Sequence, residues 1–140
     1  MALGVWMELE EYRAPAKVKL AALWASTMFC YIYGDYFGLY VAGTVADMNH
    51  GLMGPLGRVT PAVLTGVSLM MAVPSLMVAL SLLLPARICR WACIVLGLFY
   101  TAIMAVSLPG SEPFYKVLAA IEMVLTLAIT GVALRWPREI

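Results

Sequence analysis

Two acidic side chains stand where charge is costly. Asp35 lies in the aromatic run Phe29-Cys30-Tyr31-Ile32-Tyr33-Gly34-Asp35-Tyr36-Phe37-Gly38-Leu39-Tyr40, and Glu122 lies in the apolar stretch that begins at Pro113. A charged group at the centre of a bilayer costs about 2.5 kcal/mol or more, so an acid retained there asks for a reason. A carboxyl with no cation beside it can take up and release a proton or hold a small cation. It can also serve, in its neutral form, as a hydrogen-bonding link between helices, a contact worth about 0.6–2 kcal/mol.

The neighbours of the two acids extend both readings. At about 100° per residue, Trp24, Met28, Tyr31, Asp35 and Gly38 share one helical face, and Tyr115, Glu122 and Thr126 share another. The outermost tyrosines, Tyr36 and Tyr40, fit an interfacial aromatic belt. Tyr31 and Tyr33 lie deeper and are expected to face a polar cleft or to bond across the bundle. The candidate pathway is therefore Asp35, Glu122, Tyr31, Tyr33, Tyr115 and Thr126.

The elements that must position these residues follow from composition. The chain has 140 residues, 64% hydrophobic and 12% charged, with a formal net charge of +1 and a mean hydropathy of +0.92. That excludes a water-soluble globular enzyme, a disordered chain and a nucleic-acid module. Four runs are long enough to cross about 30 Å of hydrocarbon: residues 18–41, 61–84, 88–108 and 113–134. The expected fold is an all-α four-transmembrane-helix bundle forming one membrane domain over residues 1–140. On these spans Asp35 is six residues from its outer end, about 9 Å, and Glu122 nine from its own, about 13 Å. Similar depth for two acids far apart in sequence is the sharpest functional signal in the chain.

Basic residues give the expected orientation. Arg13, Lys17, Lys19, Arg87, Arg90, Arg135 and Arg138 fall on one side, Arg58 and Lys116 on the other, which places both termini in the cytoplasm. Trp24, Trp91 and Trp136 are expected at the cytoplasmic interface. No cleavable signal is visible, and Met1–Met7 with Trp6 reads as an interfacial segment or a frayed tail. The turns Leu84–Arg87 and Pro109–Pro113 make spans two and three, and three and four, antiparallel neighbours, with Ser111 as an N-cap.

Pro74 leaves a carbonyl near residue 70 without its helical donor and is the expected hinge or gate. Gly34 and Gly38 form a GxxxG packing motif, for a second copy or within the chain. Small residues also line span two (Thr65, Ser68, Ala72, Ser75, Ala79) and span three (Cys93, Gly97, Thr101, Ala105). Such stripes accompany a cavity or close helix packing. Met70, Met71, Met77 and Met104 are core filling or a pliable apolar pocket.

The outer loop, residues 42–60, contains a short helical stretch, Val45–His50, with Thr44 and Asp47 spaced as a capping box. It either folds over the mouth as a lid or lies at the interface. Asp47 and His50 are spaced to pair, and with Arg58 and Lys116 they mark the outer mouth. Cys30, Cys89 and Cys93 read as small packing residues, and neither metal nor cofactor is expected.

The stretches Leu23-Trp24-Ala25-Ser26, Met28–Tyr40, Met53-Gly54-Pro55-Leu56-Gly57, Ser68–Met77 and Ile94–Met104 resemble a family of uncharacterised bacterial four-span integral membrane proteins, a domain of unknown function. The resemblance implies a four-helix membrane architecture, in a bacterial cytoplasmic membrane, and carries no activity. Similarity to DoxX-like four-span proteins is one of hydropathy alone. Three functional expectations follow. The first is an ion, proton or small-solute channel or transporter, working as a homo-oligomer among membrane lipids. The second is a non-transporting membrane subunit that binds a protein or lipid partner. The third, a lipid- or quinone-handling enzyme, is the weaker, since no nucleophile–base pair or cofactor motif supports it.

Overall fold

The computed structural model describes residues 9–138, so the Met1–Met7 segment lies outside the described residues. The chain runs through α1 (Ala16–Gly38), α2 (Thr44–Asn49), a 3-10 turn (Gly54–Leu56), α3 (Pro61–Leu83), α4 (Ala86–Ser107) and α5 (Pro113–Leu134). Proline opens every long helix. Pro15 and Pro85 stand at N-cap positions, and Pro61 and Pro113 in the first turn, where the missing N–H is not needed. The Thr60 hydroxyl adds a side-chain cap by accepting from the Val63 amide at 3.2 Å.

Three helices, α3, α4 and α5, are long and apolar enough to cross a membrane. With 23 residues α1 matches α3 in length, but Lys17, Lys19, Asp35 and its tyrosines make it less apolar. Its regular hydrogen bonding stops at Gly38, and a tightened turn continues to Val41 through bonds such as Val41 N–H to the Gly38 carbonyl, 3.2 Å. Asp35 therefore lies nearer the end of its helix than expected.

The order of packing is α3–α1–α5–α4, with the closest approaches between α4 and α5, α1 and α5, and α1 and α3. This corrects one expectation. Although a two-residue turn joins α3 to α4, their backbones barely approach, and buried Met77, Tyr100 and Met104 belong to the shared core. In contrast, α4 meets α5 closely because Gly97 has no side chain. A Cβ there would collide with the Thr130 hydroxyl and sit 3.0 Å from the Thr126 carbonyl oxygen.

Several positional expectations are corrected by helix rotation. Trp24 is 0% exposed, packed edge-on against Tyr100 with centroids 6.2 Å apart, and does not sit at an interface. The small stripe of α3 faces away from the chain: Thr65, Ser68, Ser75 and Ala79 are exposed, while Pro74, Met77 and Ser81 point inward. Ser111 does not cap α5. It donates to the Leu108 carbonyl at 2.7 Å, and Glu112 is the N-cap residue. The Thr44–Asp47 capping box does not form, because Gly43, at φ 90°, takes the N-cap position of α2.

At the end of the bundle near the chain termini, two basic side chains tie helices together. The Lys17 ammonium donates to the Leu84 carbonyl at 2.6 Å just beyond α3, and Arg90 Nε donates to the Ala133 carbonyl at 3.0 Å in the last turn of α5. These are the orphan carbonyls of a helix C-terminus, where a cation is favoured by about 0.3–1 kcal/mol.

Candidate functional site

The interior is a strip of polar side chains within an apolar bundle. On α1 the inward face is Leu20, Ala21, Trp24, Thr27, Tyr31 and Gly34; on α5 it is Ala119, Glu122, Thr126, Ile129, Thr130 and Ala133. Both threonine hydroxyls of α5 are occupied. Thr126 donates to the Glu122 carbonyl at 2.9 Å and meets Thr101 of α4 at 2.7 Å, and Thr130 donates to the Thr126 carbonyl at 3.1 Å. Such bonds within the helix leave the backbone satisfied and let polar residues line an apolar bundle.

Glu122 is the exception. It is 3% exposed, its carboxyl takes part in none of the side-chain hydrogen bonds among the described residues, and Asp35 is the charged group that lies within electrostatic range of it. The nearby Tyr31 hydroxyl is fully buried and has no hydrogen-bond partner. Tyr31 lies within electrostatic range of Glu122, Tyr100 and Tyr115, and its ring is tilted against that of Tyr100, with centroids 6.4 Å apart. Half-buried Tyr115 lies within range of both carboxyls.

The contact between α1 and α5 thus brings Asp35, Glu122, Tyr31 and Tyr115 into one neighbourhood, with Thr126 one turn along from Glu122. Asp35 occupies its rim, exposed on the bundle surface. Gly34 is where the two helices close: a Cβ there would lie 3.6 Å from Leu118, whereas one on Gly38 would meet nothing within 4 Å. Half of the GxxxG motif therefore packs within the chain.

Tyr33 does not belong to the group. It is 56% exposed and stacks on Phe37 at 6.2 Å between centroids, because residues two apart on a helix point to nearly opposite sides. With Phe29, Tyr36 and Phe37 it forms the outward aromatic surface of α1, which exposed Ile32 shares and Tyr40 continues just beyond the helix. Arg58 and Lys116 are exposed, and among the described residues neither forms an ion pair with Asp35 or Glu122. Asp47 and His50 are exposed and joined through the backbone, His50 N–H to the Asp47 carbonyl at 3.0 Å. The loop is a hairpin closed by a bridge between Leu52 and Arg58, with Gly51 and Gly57 at φ 71° and 74° making turns that other residues resist. Neither α2 nor the 3-10 turn buries a residue.

Tyr100 completes the site, and nothing in the sequence pattern had singled it out. Pro74 has no N–H to give the Met70 carbonyl, and the Tyr100 hydroxyl, crossing from α4, donates to that carbonyl at 2.5 Å. The available signal was a tyrosine deep in span three, opposite an acceptor that Pro74 was bound to leave open.

Three helices long and apolar enough to cross a membrane, among the described residues, mark a membrane protein. The chain belongs to the family of unknown function DUF6326, whose profile matches residues 7–140. No curated protein and no solved structure matches it.

Proposed function

We propose that this chain is a small transporter or channel for protons or small cations, working by exchange at the carboxyls of Glu122 and Asp35. In this reading α1 crosses the bilayer with α3, α4 and α5, making four spans with both termini in the cytoplasm of a bacterial cell. The observation that carries the proposal is Glu122, a buried residue whose carboxyl makes no side-chain hydrogen bond among the described residues, beside the unpartnered Tyr31 hydroxyl. A structural acid would have its oxygens satisfied; an exchange site needs them free. Asp35 on the rim supplies the relay towards the loop end, Tyr115 lies within electrostatic range of both acids, and Pro74 with Tyr100 is the hinge that admits the ion.

A hydrophobic carbodiimide tests the site, because it modifies protonated carboxyls in apolar surroundings. The expected outcome is one adduct per chain at Glu122, absent in Glu122→Gln, forming more slowly as pH rises and as the transported cation is added. Absence of any adduct, or labelling indifferent to pH and to every cation, would remove the exchange site. A C-terminal reporter that is active only in the periplasm should stay silent, and a signal would overturn the orientation.

One observation favours a second reading, that of a subunit built into a larger assembly. The stripe Thr65, Ser68, Ala72, Ser75 and Ala79 recurs at spacings of three and four along α3, and its members are exposed apart from half-buried Ala72. Small residues so spaced permit close approach of another helix, from a second copy or from a partner protein. Crosslinking through a cysteine placed at Ser68 distinguishes the two, since only self-association yields a dimer of this chain.

A further inference from the structure

At the other end of the bundle, near the chain termini, a pair of thiols has no part in the transport reading. Cys89 and Cys93 are both 0% exposed and both free. They stand one turn apart on the same face of α4, and their thiols adjoin each other. Trp24 Nε1–H donates to Cys93 Sγ at 3.5 Å, and Cys89 Sγ donates to the Ser81 carbonyl at 3.5 Å. The Ser81 hydroxyl beside them is 0% exposed and has no hydrogen-bond partner. The Lys17 ammonium is close enough for its charge to act on Cys89. Met77, one turn before Ser81 on the inward face of α3, belongs to the same core cluster.

Thiols used only for packing do not call for these surroundings. A buried hydroxyl without a partner costs about 1–3 kcal/mol, and an indole N–H aimed at sulfur is a weak bond unless that sulfur carries charge. Both features fit a site whose sulfurs become thiolates when something binds. Two thiolates with no other ligating His, Cys, Asp or Glu grouped with them among the described residues fall short of the four ligands that zinc takes in structural sites. They do suit a soft monovalent ion, which thiolate and thioether ligands select.

We propose that Cys89 and Cys93 form a binding site for a soft monovalent metal cation, Cu(I) or its analogue Ag(I). Binding replaces two S–H bonds by two metal–sulfur bonds and releases both protons to solvent. The metal-dithiolate centre then carries one negative charge, which the Lys17 ammonium balances. Trp24 Nε1–H and the Ser81 hydroxyl donate to the metal-bound sulfurs, giving the orphaned hydroxyl its partner. The site is independent of Glu122.

The test is silver binding to the purified, reduced full-length chain in detergent, in chloride-free buffer, read by metal analysis after desalting. Wild type, Cys30→Ser and Glu122→Gln should each retain one silver per chain and release two protons on binding it. Cys89→Ser/Cys93→Ser should retain none while keeping its helical circular dichroism. Ser81→Ala, which leaves both sulfurs in place, should weaken binding several-fold. If the double variant fails to fold, X-ray absorption at the silver edge of the wild-type complex decides. Two sulfur neighbours support the site, and an oxygen or nitrogen shell overturns it. Wild type that retains no silver, or a folded double variant that retains as much as wild type, also overturns it.

Discussion

Tyr100→Phe is a near-isosteric change that isolates one hydrogen bond, and Pro74 supplies its control. In the wild type the phenol is the donor for the Met70 carbonyl, at 2.5 Å, that Pro74 leaves without one. Phenylalanine keeps the ring packing against Trp24, Phe99 and Tyr31, whose centroids lie 6.2, 5.3 and 6.4 Å away. The loss is then the bond itself, about 0.6–2 kcal/mol between membrane helices. In a Pro74→Ala background the introduced alanine donates its own N–H to the Met70 carbonyl, which is then satisfied whether or not Tyr100 reaches it. The same Tyr100→Phe change should cost distinctly less there, leaving a coupling of about 0.5–1.5 kcal/mol in the double-mutant cycle. The assay is equilibrium unfolding in mixed micelles followed by circular dichroism. Equal costs in both backgrounds would refute the reasoning, because the tyrosine would then not be answering the proline.

Other consequences follow from the same packing. Gly97→Ala should destabilise the bundle by about 1–3 kcal/mol in the same unfolding assay, since its Cβ meets Thr130 and the Thr126 carbonyl, while Gly38→Ala, facing open space, should change little. Glu122→Leu should raise the thermal midpoint, as expected of an acid kept for function at a cost in stability; a lowered midpoint would mark Glu122 as interhelical glue. Tyr31→Phe removes a hydroxyl that has no partner, so stability should hold or rise while ion flux falls. Lys17→Met should cost about 0.3–1 kcal/mol by uncapping α3, visible as a modest loss in thermal midpoint.

What could be read from the sequence was whatever depends on a single helix. Span lengths, the proline starts and the carbonyl released by Pro74 follow from local rules, and the helices fall close to the expected residues. Rotation and neighbour choice do not follow from local rules. Trp24 reads as interfacial from its distance to a span end, yet its face of α1 turns towards Tyr100. Span two offers two stripes, small and methionine-bearing, and the chain buries the second; only packing against α1 decides between them. Asp35 and Glu122 were found by their cost, which is a property of the residue. Their meeting depends on α1 lying beside α5, which no local pattern encodes. Tyr33 is different: about 200° of helical rotation from Tyr31 already argued that both could not face inward.

Exchange at the two carboxyls is decided by ion flux in proteoliposomes, scanned over protons, monovalent cations and anions, for wild type and for Asp35→Asn/Glu122→Gln. Wild type should move protons or one class of small cation, and the double variant, still folded and reconstituted to the same density, should not. Wild-type vesicles as tight as protein-free ones to every ion tested, or a double variant as active as wild type, would contradict it.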